Sequence, residues 1–149
     1  MGYSKGIDEN SIAETVWEHV ERVLGNLKVK VSDNSRVTED TNKTWSGTSE
    51  VDLYQWTVFI NGEIRIKIKT RRTAGSGYAN LKIYKNGSLE KTLTNNSDEW
   101  VIKQYDLDVN ENDVVKIAGY CNASDTTGEV DTVYLCFDSD FKFADGGAL

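Results

Sequence analysis

The chain has 149 residues, 38% hydrophobic and 28% charged, with a net charge of −7, two cysteines, one histidine and no proline. That length suffices for one compact domain with a modest appendage. No run of about 18 apolar residues suggests a membrane span and no basic-then-apolar leader suggests secretion, so synthesis in a reducing cytoplasm is expected. Residues 98–149 carry 3 basic and 12 acidic side chains, which repel phosphate backbones and argue against nucleic acid as a partner.

Residues 1–10 are polar. Ser11 and Glu14 then stand in a capping-box relation, each side chain reaching the other's backbone amide, and predict a helix from Ser11 to about Leu24 that Gly25 terminates. Ala13, Val16, Val20, Val23 and Leu27 alternate spacings of three and four, and Trp17 and Leu24 widen that apolar seam. About two heptads are too few for a free-standing coiled coil, so the helix either packs on its own domain or bundles with copies of itself. Residues 1–26 are therefore read as an arm with an attachment and oligomerisation helix, and residues 27–149 as a separate domain.

That domain reads as strands. Leu27 to Val31 alternates, residues 32–50 form a turn-rich polar connection containing Trp45, and Leu53 to Ile60 has strand composition. Asn61-Gly62 signals either a tight hairpin or a corner between sheets. Ile64, Ile66 and Ile68 alternate with Arg65, Lys67 and Lys69, a period of two that sends one set to a core and the other to solvent. The basic stripe continues to Arg71 and Arg72 and reads as a solvated strand face. After a flexible tip at 73–77, Tyr78 to Tyr84 and Ser88 to Thr94 flank an Asn86-Gly87 turn. Glu99 to Leu107 follows, with a change of face through a bulge expected and Trp100 assigned to the core. Val114 to Cys121, Val130 to Phe137 and a short Phe141 to Phe143 run complete the set. Seven to nine strands with turn signals about every 8 to 12 residues predict an all-β fold, an antiparallel two-sheet β-sandwich of jelly-roll type with one short N-terminal α-helix.

Chemistry is sparsely signalled. His19 lies on the polar side of the helix, which leaves nucleophile–histidine catalysis without a base in the sandwich. The carboxylates sit mainly in turns, where Asp bonds its own backbone; Asp138 and Asp140 are the sharper candidates for calcium, though without a full ligand pattern. No cofactor and no enzymatic activity are expected. Cys121 and Cys136 read as buried free thiols or, as cross-strand neighbours, a disulfide. Trp45, Tyr78, Tyr120 and Tyr134 are candidates for stacking on sugar rings, with Trp56 assigned to the core.

Two stretches carry a resemblance. Val16-Trp17, then Arg22 and Leu24, resembles a short V-W-x4-R-x-L segment of tail, fibre and appendage proteins of tailed bacteriophages, with Gly25 where Thr usually follows. Residues 62–69, Tyr78 to Gly87, Asn112 to Ile117 and Val133 to Phe137 resemble the β-sandwich module that accompanies it, with Asn112 in place of the usual Gly. The resemblance implies a virion structural protein made in the host bacterial cytoplasm: a head fibre, decoration protein or tail appendage. It would be homotrimeric, docked on capsid or tail proteins through Val16, Trp17, Val20, Arg22, Val23 and Leu24, with the sandwich displayed outward. The alternative is a module that recognises host surface glycans.

Overall fold

The computed structural model describes residues 28–138 and 144–149. The predicted helix with its attachment set Val16, Trp17, Val20, Arg22, Val23 and Leu24, the Phe141 to Phe143 strand and Asp140 lie outside the described residues. Within them run β1 (Lys28–Val29), β2 (Ser35–Glu39), β3 (Lys43–Ser46), β4 (Val51–Val58), β5 (Asn61–Ala74), β6 (Ala79–Lys85), β7 (Ser88–Leu93), β8 (Val101–Val109), β9 (Val114–Cys121), β10 (Thr127–Cys136) and β11 (Ala144–Ala148).

They form two sheets. The first has the order β1-β5-β10-β2, with β8 on the other side of β5 and β3 also paired to β10; the second runs β11-β4-β9-β6-β7. Every pair is antiparallel except the two-residue contact of β1 with β5. The two-sheet sandwich expected from the spacing of turns is thus the fold.

The core follows from the alternation in β5. Ile64, Ile66 and Ile68 are at most 1% exposed and join Leu81 and Ile83 of β6 and Val115 and Ile117 of β9 in one apolar cluster. Each such side chain contributes about 1.5–3 kcal/mol through burial, enough to specify which way the strand faces. Trp56 lies in the core as expected, stacked on Tyr54 at 5.9 Å between ring centroids.

On the outer face of the first sheet the basic stripe is matched by carboxylates. Arg65 bonds Asp106 at 2.8 Å and Asp33 at 2.9 Å, and Lys67 reaches the same Asp33 at 3.2 Å. Lys69 meets Asp131, Arg71 meets Glu129 and Arg72 meets Asp98. These pairs hold Asp33, Asp98 and Asp131 below the ordinary carboxylate range, chiefly by hydrogen bonds from Arg65, Arg72 and Lys69 respectively. Solvent screening makes each pair a weak contributor to stability, so register, and not energy, is what the ladder supplies.

Two turns are decided by backbone geometry. Asn86 and Gly87 take φ of 51° and 82°, the paired left-handed conformation of a two-residue hairpin. Asn61-Gly62 is instead the corner at which the chain leaves the second sheet for the first, and only Gly62 there has positive φ, at 132°. Asn112 takes φ of 72°, a left-handed conformation that Asn adopts more readily than most non-glycine residues.

Several expectations are corrected. The polar stretch at 32–50 contains β2 and β3, which pair with β10 through their backbones and present no apolar alternation to reveal them. Gly146 and Gly147, beyond the last strand expected from sequence, belong to β11, paired to β4. β8 keeps continuous register with β5 and has no bulge there, so Trp100 and Ile102 share the outward parity. Trp100 accordingly leaves the core and lies under the Arg71 guanidinium, 4.4 Å from its ring centroid, with Lys69 at 5.3 Å. Cys121 in β9 and Cys136 in β10 belong to different sheets, and both are buried free thiols; burial raises both thiol pKa values.

Candidate functional site

The four aromatic residues singled out from sequence do not converge. Trp45 is 3% exposed, its indole packed against the backbone of Gly119 and Gly128, and is a core residue and not a sugar platform. Its neighbours in sequence are polar because β3 turns only this one large side chain inward. Tyr134 points out of the first sheet, paired with Lys67 and Thr38, and lines a small depression of about 200 Å³ with Asp33 and Ile102. Tyr78 and Tyr120 come together on the other side of the molecule, on the outer face of the second sheet.

That face is built by alternation. In β6, Ala79, Leu81 and Ile83 are buried toward the core, so Asn80, Lys82 and Tyr84 face outward, with Tyr78 immediately before the strand on the same parity. In β9, Tyr120 stands opposite Asn80, Ala118 opposite Lys82 and Lys116 opposite Tyr84. The Lys82 ammonium lies 4.5 Å from the Tyr120 ring centroid and the Lys116 ammonium 4.9 Å from that of Tyr84. From Tyr78 to Tyr84 is six residues, a track of about 20 Å at the rise of a strand. Tyr84 was missed as a candidate, yet its signal is in the sequence: it shares the period of two with Tyr78 and Lys82.

The charges on this face are paired. Lys82 donates to Glu50 at 3.2 Å and Lys116 meets Asp52 at 3.1 Å. The Tyr84 hydroxyl beside Glu50 is the main influence that holds the Glu50 carboxyl below the ordinary range, and Glu50 in turn raises the Tyr84 hydroxyl. The Lys82 pKa is raised, first by the Glu50 hydrogen bond. What results is a strip of three partly exposed aromatic rings, Tyr120 and Tyr84 each braced by a lysine, with carboxylate and ammonium groups held at its rim. Such a strip offers apolar stacking surface beside hydrogen-bonding groups, the combination that binds flat, hydroxyl-rich rings.

One end of the strip is rigid. The tip at 73–77, expected to be flexible, is bonded together with Tyr78 into the loop that joins β9 to β10. The Gly77 amide donates to Thr126 Oγ1 at 2.9 Å, the Tyr78 amide donates to Asn122 Oδ1 at 2.7 Å, and the Asn122 amide returns a bond to the Tyr78 carbonyl. Arg72 donates to the Gly77 carbonyl at 2.9 Å while holding Asp98. Tyr78, 42% exposed, is therefore presented from a pinned backbone.

Of the two calcium candidates, only Asp138 is among the described residues. Asp138 uses a carboxylate oxygen to accept from the Lys30 amide at 2.8 Å, and its own amide donates to the Lys30 carbonyl, which fastens the end of β1. Among the described residues no group of three or more His, Cys, Asp or Glu side chains is arranged to hold a metal ion. An open cleft of about 510 Å³ beside β11 is lined by Glu39, Thr41, Gln55 and Thr57 with the C-terminal strand; its lining includes no aromatic ring and so lacks a stacking surface.

No family model matches the chain, and no curated protein matches it in sequence. Solved structures do resemble it. A family 35 carbohydrate binding module from an environmental isolate matches with a TM-score of 0.51 at 12% identity, over 85% of this chain and 93% of that one. The CBM36-1 domain of a multidomain xylanase from the hindgut metagenome of Trinervitermes trinervoides gives 0.50 at 9% identity, over 78% and 94%. The CBM35 from Cellvibrio japonicus Abf62 gives 0.49 at 14% identity, over 68% and 72%. At such identities the likeness is one of fold: an all-β, two-sheet sandwich of the kind found in carbohydrate-binding modules.

Proposed function

We propose that the protein is a non-catalytic glycan-binding module that receives a carbohydrate chain along the outer face of the second sheet, from Tyr84 past Tyr120 to Tyr78. The observation that carries this reading is the track itself: three tyrosines on one face of a rigid sheet, two of them braced by Lys116 and Lys82. Support of a coarser kind comes from the sandwich architecture, which similar carbohydrate-binding modules share. The proposal assigns no reaction to the chain, and binding is its purpose.

A glycan array followed by calorimetry on the best-bound sugar tests it. Tyr78→Ala and Tyr120→Ala are each expected to weaken binding about tenfold, the loss of one aromatic stacking contact. Tyr134→Ala, on the opposite sheet, is expected to change nothing. Binding unaltered in both track variants would defeat the proposal.

A second reading joins this module to a virion, favoured by the likeness of residues 16–24, 62–69 and 78–87 to phage appendage proteins. In it the segment 1–26 assembles and attaches a homotrimer while the sandwich meets host glycans. Trp17→Glu is then expected to abolish self-association in light scattering while the sandwich keeps its melting temperature. An unchanged mass counts against it.

A further inference from the structure

Asn80 sits in the middle of the tyrosine track and is 3% exposed, although its position in β6 turns it away from the core. Ala79 and Leu81 on either side of it point inward and are buried, and Tyr120 stands directly opposite on β9. Because Leu81 pairs with Leu93, the chain leaving β7 places Thr94 on the other flank. Tyr78 and Lys82 precede and follow Asn80 on the same face. These residues flank the outward side chain, and the Lys82 ammonium leans across Tyr120 to reach Glu50.

Asn80 Oδ1 has no hydrogen-bond partner among the described residues. An amide carbonyl withdrawn from water and left unpaired is destabilising, and most buried polar atoms are satisfied. An apolar residue of similar size would fill the position without that penalty. The residue that carries the unpaired acceptor lies between two candidate stacking rings and beside Lys82, whose flexible stem can swing aside.

We infer that Asn80 is the specificity-determining residue of the track, and that its Oδ1 accepts a hydrogen bond from a hydroxyl of a neutral sugar stacked between Tyr78 and Tyr120. The inference rests on the glycan-binding reading and deepens it in two respects. Displacement of Lys82 from Tyr120 uncovers the ring that stands opposite Asn80, which sets stacking and hydrogen bonding side by side. The preference for a neutral sugar follows from the rim, where Lys82 with Glu50 and Lys116 with Asp52 leave no net charge to attract a uronate or sulfate. A carbonyl oxygen also accepts from a hydroxyl and repels a carboxylate.

The test compares the wild-type chain with Asn80→Leu and Asn80→Ala on an array that carries neutral oligosaccharides such as cellotriose, xylotriose and galactotriose beside polygalacturonate and heparin. The expected result is binding to a neutral sugar that both variants weaken about tenfold, the worth of one satisfied hydrogen bond. Their melting temperatures are expected to be unchanged or raised, because an unpaired acceptor has been removed. Variants that lower the melting temperature and leave affinity intact would make Asn80 structural and overturn the inference. So would wild-type preference for polygalacturonate or heparin. If the Tyr78 and Tyr120 variants weaken binding while the Asn80 variants do not, the track stands and the role of Asn80 falls. Wild-type binding to no sugar, or indifference of every variant, overturns both.

Discussion

Trp45→Ala is expected to lower the stability of the sandwich by about 3–5 kcal/mol, the range for deleting a large buried aromatic side chain. The indole bridges the two sheets: a Cβ added to Gly119 of β9 would fall 2.5 Å from its ring, and one added to Gly128 of β10 would fall 2.3 Å from it. Both glycines make room for the tryptophan, and neither position accepts a side chain while it is present. Gly128→Ala is therefore expected to be destabilising alone and close to neutral in a Trp45→Ala background, where the vacated space takes the methyl group. Urea denaturation of the two single variants and the double variant measures this coupling. Part of the gain from burying Trp45 is already lost, since its Nε1 has no hydrogen-bond partner among the described residues. A loss below about 1 kcal/mol for Trp45→Ala would show that the ring is not the wedge described, because removal of a surface aromatic has effects of that size.

Gly62→Ala is expected to cost about 2–4 kcal/mol, from left-handed strain and overpacking together. Gly62 has φ of 132°, and a Cβ there would lie 2.2 Å from the Val29 carbonyl oxygen. That oxygen belongs to the backbone of β1, which pairs with the start of β5 and whose following residue Lys30 is tied to Asp138, so it has little freedom to retreat. Gly87→Ala provides the comparison. It too has positive φ, 82°, but nothing lies within 4 Å of an added Cβ, so strain acts there without collision. The difference in denaturation midpoint between the two variants isolates the contact that holds the sheet-crossing corner. Equal losses would mean that β1 yields and does not pin the corner.

Trp45 shows where local reading fails. Trp45 looked exposed because Thr44 and Ser46 beside it are polar, yet in a strand neighbours in sequence lie on opposite faces, and one inward residue among polar ones is enough. The strands β2, β3 and β11 escaped notice for a related reason. They lie at sheet margins, where backbone pairing to β10 or β4 replaces the apolar alternation that marks a central strand. Trp100 reads as core because it stands in a strand-like run; the continuous pairing of β8 with β5 leaves it outside, against Arg71.

The track was half legible. Tyr78 and Tyr120 were singled out, but from one strand alone no rule says that Tyr120 will stand opposite Asn80 or that Lys82 will reach its ring. Those relations depend on the register between β6 and β9, which are separated by two intervening strands in the chain.

Sequence by itself determined the fold class, the inward face of Ile64, Ile66 and Ile68 and the Asn86-Gly87 turn, because periodicity, charge alternation and turn chemistry act within a few residues. The tertiary structure decided which tyrosines share a face, that Trp45 is a wedge and that Asn80 Oδ1 is buried without a partner among the described residues. Those properties arise from long-range strand pairing and from the approach of two sheets, where the partners lie tens of residues apart.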